Sequence, residues 1–268
     1  MPHIQAGAIR IYYEIAGAGK PLLFINGTGA DLRFRPNAFD GPLGKNFQVL
    51  GYDQRGLGRT DKPDRPYSMQ DYADDAAALM DALGWARAHV MGVSFGGMVA
   101  QHLALRHPHK VNRLVLACTS SGGAAGASYP LHELGGLDPE ARARFMIAIS
   151  DTRHDAAWQA SHPEAYAAMI AQQVASAAIG NDDPAKPMGA RRQLEARMDH
   201  DTYARLAELR CPTLLCAGRY DGIAPLPNMQ AMQQKTPNAR LEIFEGGHLF
   251  LIQDKRAYAE IVQFLRQD

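Results

Sequence analysis

"HVMGVSFGGMVAQ", residues 89–101, is the stretch on which the fold turns. An apolar run ends in Gly92-Val93-Ser94-Phe95-Gly96, and a helical pattern follows it. Ser94 is therefore expected at a tight strand-to-helix turn. Small residues at Gly92 and Gly96 would let the backbone pass close to its neighbours there. The Ser94 side chain would then project off the carboxyl end of a sheet, facing a helix N-terminus that favours negative charge. A neutral serine hydroxyl is a poor nucleophile. It needs a base within hydrogen-bond reach, and the base needs an orienting carboxylate.

Outward from this turn, short apolar runs predict buried strands at 21–26, 47–53, 88–93, 112–118, 212–218 and 239–246, with two further strands near 3–6 and 8–15. Helical patterns lie between them. Residues 68–83 open with Ser68 and Asp71 in capping-box spacing and stop before Gly84. Further helices are expected from Gly96 to His107, at 225–235 and at 257–267. Alternating strand and helix predicts an α/β fold, a mostly parallel eight-stranded sheet flanked by helices. Between Cys118 and residue 212 the rhythm breaks. Helix starts at Asp138-Pro139-Glu140 and Ser161-His162-Pro163-Glu164, and a third helical stretch from Met188 to Met198, predict a helical insertion over one end of the sheet. The expected organisation is a core of 1–120 and 201–268 with an insertion at 121–200.

The 268 residues suffice for one large α/β domain, and 46% hydrophobic with 21% charged residues is a globular composition. Formal net charge is zero, so there is no electrostatic case for nucleic acid or an anionic membrane as partner. No segment approaches 18 unbroken apolar residues, and "MPHIQAGAIRIYYEIAG" lacks the basic and apolar regions of a secretory signal. A soluble, cytoplasmic protein is expected. Cys118, Cys211 and Cys216 form no zinc pattern and are expected as small buried residues. His102, His107 and His109 likewise match no metal spacing and are expected on a helix surface.

Two residues supply what Ser94 needs. Asp221, in "AGRYDGIAP", lies just past the strand at 212–218. His248, in "FEGGHLFLIQ", follows the last strand after two glycines. Each is one step past a separate buried strand, so all three are expected at one sheet edge as a catalytic triad. The chain order Ser94, Asp221, His248 is that of the α/β-hydrolase architecture. The oxyanion hole is expected from the backbone N–H groups of Phe95 and of Thr28, in the loop "NGTGAD" after the strand at 21–26. A phosphate loop is discounted, because no G-x-x-x-x-G-K-[ST] pattern is present.

At this point the chain resembles the α/β-hydrolase superfamily of serine hydrolases. Gly92-Val93-Ser94-Phe95-Gly96-Gly97, Asp221 and His248 are similar to its triad, and "YDQRGLGRTDKP" (52–63) is similar to its D-x-R-G-x-G-x-S segment, with Thr60 for the usual serine. The resemblance implies an α/β-hydrolase fold in which the insertion is a helical cap. Asn26-Gly27 replaces the His-Gly that many members carry. The pattern Asn26-x-x-Gly29-x-Asp31-Leu32, with "GGMVAQ" and "RLVLACT", looks like 3-oxoadipate enol-lactonase and carboxylesterase members. The longer glycine-rich loop usual in meta-cleavage C–C hydrolases is absent. Ser94 argues against haloalkane dehalogenases and epoxide hydrolases, which would need an aspartate nucleophile.

The implied activity is hydrolysis of a small-molecule carboxylic ester or lactone through an acyl-enzyme on Ser94, with no cofactor and no metal. Cleavage of a C–C or amide bond by the same triad, and a ligand receptor that keeps the triad without turnover, are the alternatives. For substrate binding, Arg33 and Arg35 are candidates to pair a substrate carboxylate. Leu131, Met146 and Trp158 are candidates to line the pocket from the insertion, where Phe145 and Met169 are also apolar. Arg55 is expected to pin its own loop.

Overall fold

The computed structural model describes residues 2–267. Its eight strands are β1 (His3–Ala6), β2 (Ile9–Ala16), β3 (Pro21–Ile25), β4 (Gln48–Tyr52), β5 (Ala88–Val93), β6 (Val111–Ala117), β7 (Thr213–Gly218) and β8 (Ala239–Phe244). They form one sheet in the order β1-β2-β4-β3-β5-β6-β7-β8. The two β2 edges are antiparallel, and every pair from β4 through β8 is parallel. This is the expected α/β-hydrolase fold, a mostly parallel eight-stranded sheet flanked by helices. The order reverses at β3, which pairs β4 on one side and β5 on the other. Connections there leave to opposite faces and open a crevice at the carboxyl ends of the strands. The loop after β3 and the turn after β5 both reach that crevice.

Among the described residues ten α-helices accompany the sheet: α1 (Pro42–Asn46), α2 (Met69–Ala82), α3 (Phe95–Arg106), α4 (Pro139–Ser150), α5 (Ala156–Ser161), α6 (Pro163–Ala178), α7 (Lys186–Met198), α8 (Leu226–Lys235), α9 (Phe250–Gln253) and α10 (Arg256–Arg266). One sheet face packs α2, α3 and α8 through residues such as Tyr72, Leu103 and Met232. The other packs α1, α9 and α10 through Leu43, Phe250 and Ile261. Central strands buried on both faces explain why β3, β5 and β7 read as unbroken apolar runs. Each fully buried large apolar side chain contributes about 1.5–3 kcal/mol relative to exposure.

The local signals hold where a cap is made. Ser68 Oγ accepts from the Asp71 N–H at 3.1 Å and the Asp71 carboxylate accepts from the Ser68 N–H at 2.9 Å, starting α2. Asp138 accepts from the Glu140 and Ala141 N–H groups and starts α4. The box expected at Ser161 does not form. Ser161 ends α5 instead, and its hydroxyl donates back to the Ala157 and Trp158 carbonyls. α4 to α7 lie between β6 and β7, with a small apolar cluster of their own around Ala143, Ile147 and Ile170. The loop at 53–60 is held by buried Arg55, whose guanidinium donates two hydrogen bonds to Asp75, each 2.7 Å long. All three cysteines are buried, and burial pushes each thiol up.

His102 is not on the surface, which corrects its expected place. It is buried, with Nε2 3.2 Å from His200 Nδ1, while His200 Nε2 lies 2.9 Å from the Ser120 carbonyl oxygen. Only one proton arrangement satisfies this chain. His200 Nε2–H donates to Ser120, and His102 Nε2–H donates to His200 Nδ1, with both rings neutral. Burial pushes His102 down to about 3 and His200 to about 4; buried His89, packed edge-on against Phe47, is also pushed down to about 4. These folded values lie below the ordinary 6.5. The unfolded chain therefore binds more protons between the two, and stability is lost as pH falls from about 6.5 towards 4. His89 alone is expected to remove on the order of 2–3 kcal/mol between about pH 7 and 4.5. Urea melts of wild type and His89→Gln across that range check this: the variant should show the shallower pH dependence, and equal slopes would refute it.

Candidate active site

β5 runs straight into the turn at Ser94, whose backbone sits at φ 56° and ψ −118°, a conformation that L residues rarely adopt. The flanking glycines are what make room. A Cβ on Gly92 would enter the Gly96 carbonyl, and one on Gly96 would enter the carbonyls of Ile25 and Asn26. The strain is held by four hydrogen bonds: the Ser94 N–H donates to the Ala117 carbonyl at 2.8 Å, and its carbonyl accepts from the Gly97 N–H at 2.9 Å, the Met98 N–H at 3.3 Å and Thr119 Oγ1 at 2.8 Å. α3 begins at the next residue, so its N-terminus points at the site.

The three residues predicted to meet do meet. His248 Nε2 lies 3.0 Å from Ser94 Oγ, and His248 Nδ1 lies 2.8 Å from Asp221 Oδ2. The Asp221 side chain is fully buried, and its other oxygen accepts from the Ile223 and Ala224 N–H groups at 2.8 and 2.9 Å. That fixes the carboxylate plane. It also makes His248 Nδ1 the donor and leaves Nε2 to accept from the serine hydroxyl. Both loops are braced from the insertion. The Gly222 N–H donates to the Ile149 carbonyl at 3.0 Å, and the His248 N–H donates to the Ser150 carbonyl at 2.5 Å, both at the last turn of α4. A Cβ on Gly247 would collide with that same Ser150 carbonyl.

Phe95 follows Ser94, and the loop that carries Thr28 lies against the serine, a Cβ on Gly27 falling 3.4 Å from Ser94 Cβ. The Phe95 ring is fully buried, edge-on to Tyr72, so only its amide can serve the site. As the first residue of α3, it has no helical acceptor for its N–H. Among the described residues neither the Phe95 nor the Thr28 N–H donates to a backbone carbonyl. The loop carrying Thr28 is held from two sides: Gln54 Nε2 donates to the Asn26 carbonyl at 2.8 Å, and the Gly29 N–H donates to Gln193 Oε1 at 2.8 Å. Gln193, fully buried on α7, had no signal in the sequence. Its contact spans 164 positions, and nothing local marks it.

A cavity of about 970 Å³ opens beside the triad, between the sheet edge and α4, α6 and α7. Thr28, in the oxyanion loop, and Leu249, next after His248, belong to its wall; Leu57, Met169, Ile179 and Leu194 give it an apolar lining. Four expectations are corrected here. Arg35 faces outward and pairs with Glu14 at 3.1 Å and Asp40 at 3.2 Å, away from the cavity. Leu131 is buried as packing in a 3-10 turn. Trp158 is sandwiched between the rings of His154 and His162, at 4.3 and 4.8 Å, on a helix with no buried residue. Met146 lies one turn past Arg142 on α4 and is not part of the wall. Arg33 does reach the wall, but its guanidinium is taken by Asp31 at 2.5 Å.

Comparison with known proteins agrees with this fold. Residues 20–255 match the model of the alpha/beta hydrolase fold family. A poly(3-hydroxyalkanoate) depolymerase of Ectopseudomonas oleovorans is 32% identical over 251 residues, covering 92% of this chain and 85% of that one. A 2-hydroxymuconate semialdehyde hydrolase of Pseudomonas sp. (strain CF600) is 29% identical, covering 97% and 91%. The solved enol-lactonase from Burkholderia xenovorans LB400 superposes with a TM-score of 0.78 at 25% identity, covering 99% of this chain and 100% of that one. Among the described residues no helix is long and apolar enough to cross a membrane.

Proposed function

The chain belongs to the alpha/beta hydrolase fold family, and on that premise we propose that it is a serine hydrolase cleaving a carboxylic ester or lactone through an acyl-enzyme on Ser94. The observation that carries this is the continuous chain from Asp221 Oδ2 through His248 to Ser94 Oγ, with both hydrogen bonds at 3.0 Å or less. His248 Nε2 takes the hydroxyl proton as Ser94 attacks the carbonyl carbon. The His248 imidazolium is steadied by Asp221, and the developing oxyanion is held by the Phe95 and Thr28 N–H groups. His248 then returns the proton to the leaving alcohol. With the leaving group gone, the same nitrogen activates water against the acyl-enzyme.

The enol-lactonase and depolymerase relatives favour a C–O bond as the one cut. The same triad with a 2-hydroxymuconate semialdehyde hydrolase as relative keeps a C–C bond as the second reading. A panel of p-nitrophenyl esters, lactones and a vinylogous diketone separates them. A pre-steady-state burst of one p-nitrophenolate per active site, followed by steady turnover, is the expected result. No ester or lactone hydrolysis above buffer, with turnover of the diketone, would replace the first reading by the second.

A further inference from the structure

The cavity wall carries five basic side chains, Arg33, Lys62, Arg142, Lys186 and Arg191, against the three carboxylates Asp31, Asp183 and Glu195. Three of the five cations are held by hydrogen bonds, and a fourth, Arg191, is exposed to solvent. Arg33 is held by Asp31, Lys62 by Asp183 at 2.9 Å, and Arg191 reaches Glu195 at 3.7 Å. The Lys186 ammonium fills its three donors with the Ala177 and Ile179 carbonyls and the Asn181 side chain, at 2.6, 2.7 and 2.7 Å.

Arg142 is different. It is half-buried on α4, and among the described residues no carboxylate pairs with it. Its one hydrogen bond runs from Nη1 to the Leu134 carbonyl at 3.1 Å, leaving most of its five donors unused. Burial without a counter-charge pushes the guanidinium below the usual arginine range. A half-buried guanidinium with no counter-charge keeps part of its desolvation cost uncompensated, so on the wall of a ligand cavity it is placed for an anion that arrives with the ligand.

We infer that Arg142 anchors an anionic group of the substrate, so that the cavity selects esters or lactones carrying a carboxylate several bonds from the reacting carbonyl. The bond to Leu134 holds one corner of the guanidinium fork and leaves its other edge for a planar, two-point partner. α4 sets the distance. Its last turn is fastened to the acid and base loops through Ile149 and Ser150. Arg142 lies about 12 Å back along the helix axis from Ser150. A substrate spanning from Ser94 to Arg142 therefore needs a spacer, and a cavity of about 970 Å³ has room for one. Which bond is cut rests on the serine-hydrolase reading; the anion anchor does not.

The test pairs charge with length. The substrates are the p-nitrophenyl half-ester of suberic acid, with a free carboxylate, and its methyl-capped neutral counterpart. Wild type is expected to favour the charged ester. Arg142→Met should lower the charged-to-neutral ratio of kcat/KM by about 10- to 100-fold, mainly through KM. Arg142→Lys should keep part of the preference, since it retains the charge without the fork. Arg144→Gln, on the outer face and paired with Glu140, should leave the ratio at the wild-type value. If Arg142→Met does not fold, Arg142→Gln, which keeps a donor for Leu134, is measured in its place. Calorimetric titration of monomethyl suberate into Ser94→Ala, with and without Arg142→Met, reads the anchor without turnover. Binding lost on Arg142→Met, together with no ester turned over by wild type, would uphold the anchor and end the ester-hydrolase reading. Normal ester turnover, with ratio and affinity unmoved by Arg142→Met, would overturn the anchor alone.

Discussion

Ser94→Ala is expected to lower kcat on any ester that wild type turns over by about 10⁴- to 10⁶-fold, leaving a residue of activity from the oxyanion donors and binding alone. The substitution removes a single oxygen, whose partner here is His248. His248 keeps its bond to Asp221 and its backbone bond to Ser150, so the ring has no reason to leave its place. Alanine meets the same φ of 56° as serine, so the turn carries no new strain. Folding stability should stay within about 1 kcal/mol of wild type, as the one atom that loses its partner, His248 Nε2, belongs to a ring still held by Asp221. A burst assay with p-nitrophenyl butyrate, read beside a thermal melt, checks both parts. Hydrolysis within tenfold of wild type would remove Ser94 as the nucleophile.

Asp221→Asn is expected to cost about 10³- to 10⁴-fold in kcat while the fold stays intact. One Asp221 oxygen accepts from the Ile223 and Ala224 N–H groups. An asparagine must keep its carbonyl oxygen on those two donors, which turns its NH2 towards His248 Nδ1. That nitrogen must then accept, the ring proton moves to Nε2, and the atom facing Ser94 can no longer take the hydroxyl proton. The loss should ease as pH rises, because hydroxide relieves the need for a base. Activity within threefold of wild type across the pH range would show that the carboxylate does not orient the histidine.

The parts of the site that were legible in sequence share a property. Ser94, Asp221 and His248 each sit one step past a buried strand, and a parallel sheet delivers all its strand ends to one edge. Order along the chain therefore became proximity in space. The same holds for Thr28, one loop past β3. What failed was inference from closeness in sequence. Arg35 follows the oxyanion loop closely in sequence, but the chain turns away and Glu14 and Asp40 claim it. Arg142 and Gln193 reach the cavity and the oxyanion loop from helices more than a hundred positions further on. How α4 to α7 fold back over the sheet is tertiary information with no periodic signal. His102 failed for a related reason. The ring that buries it, His200, lies 98 positions away. Ser161 had the right spacing for a cap, but the short helix before it took the hydroxyl first.

The fastening of α4 to the acid and base loops has a mechanical consequence. Its final carbonyls are acceptors for the N–H groups of Gly222 and His248. If α4 swung outward to admit a substrate, it would pull on the two loops that place the proton-transfer groups. The helix is thus a fixed post of the gateway rather than its door. The arrangement works as an interlock: the machinery is in register only while that post stands, so a molecule that forced the wrong side open would disarm the serine as it entered.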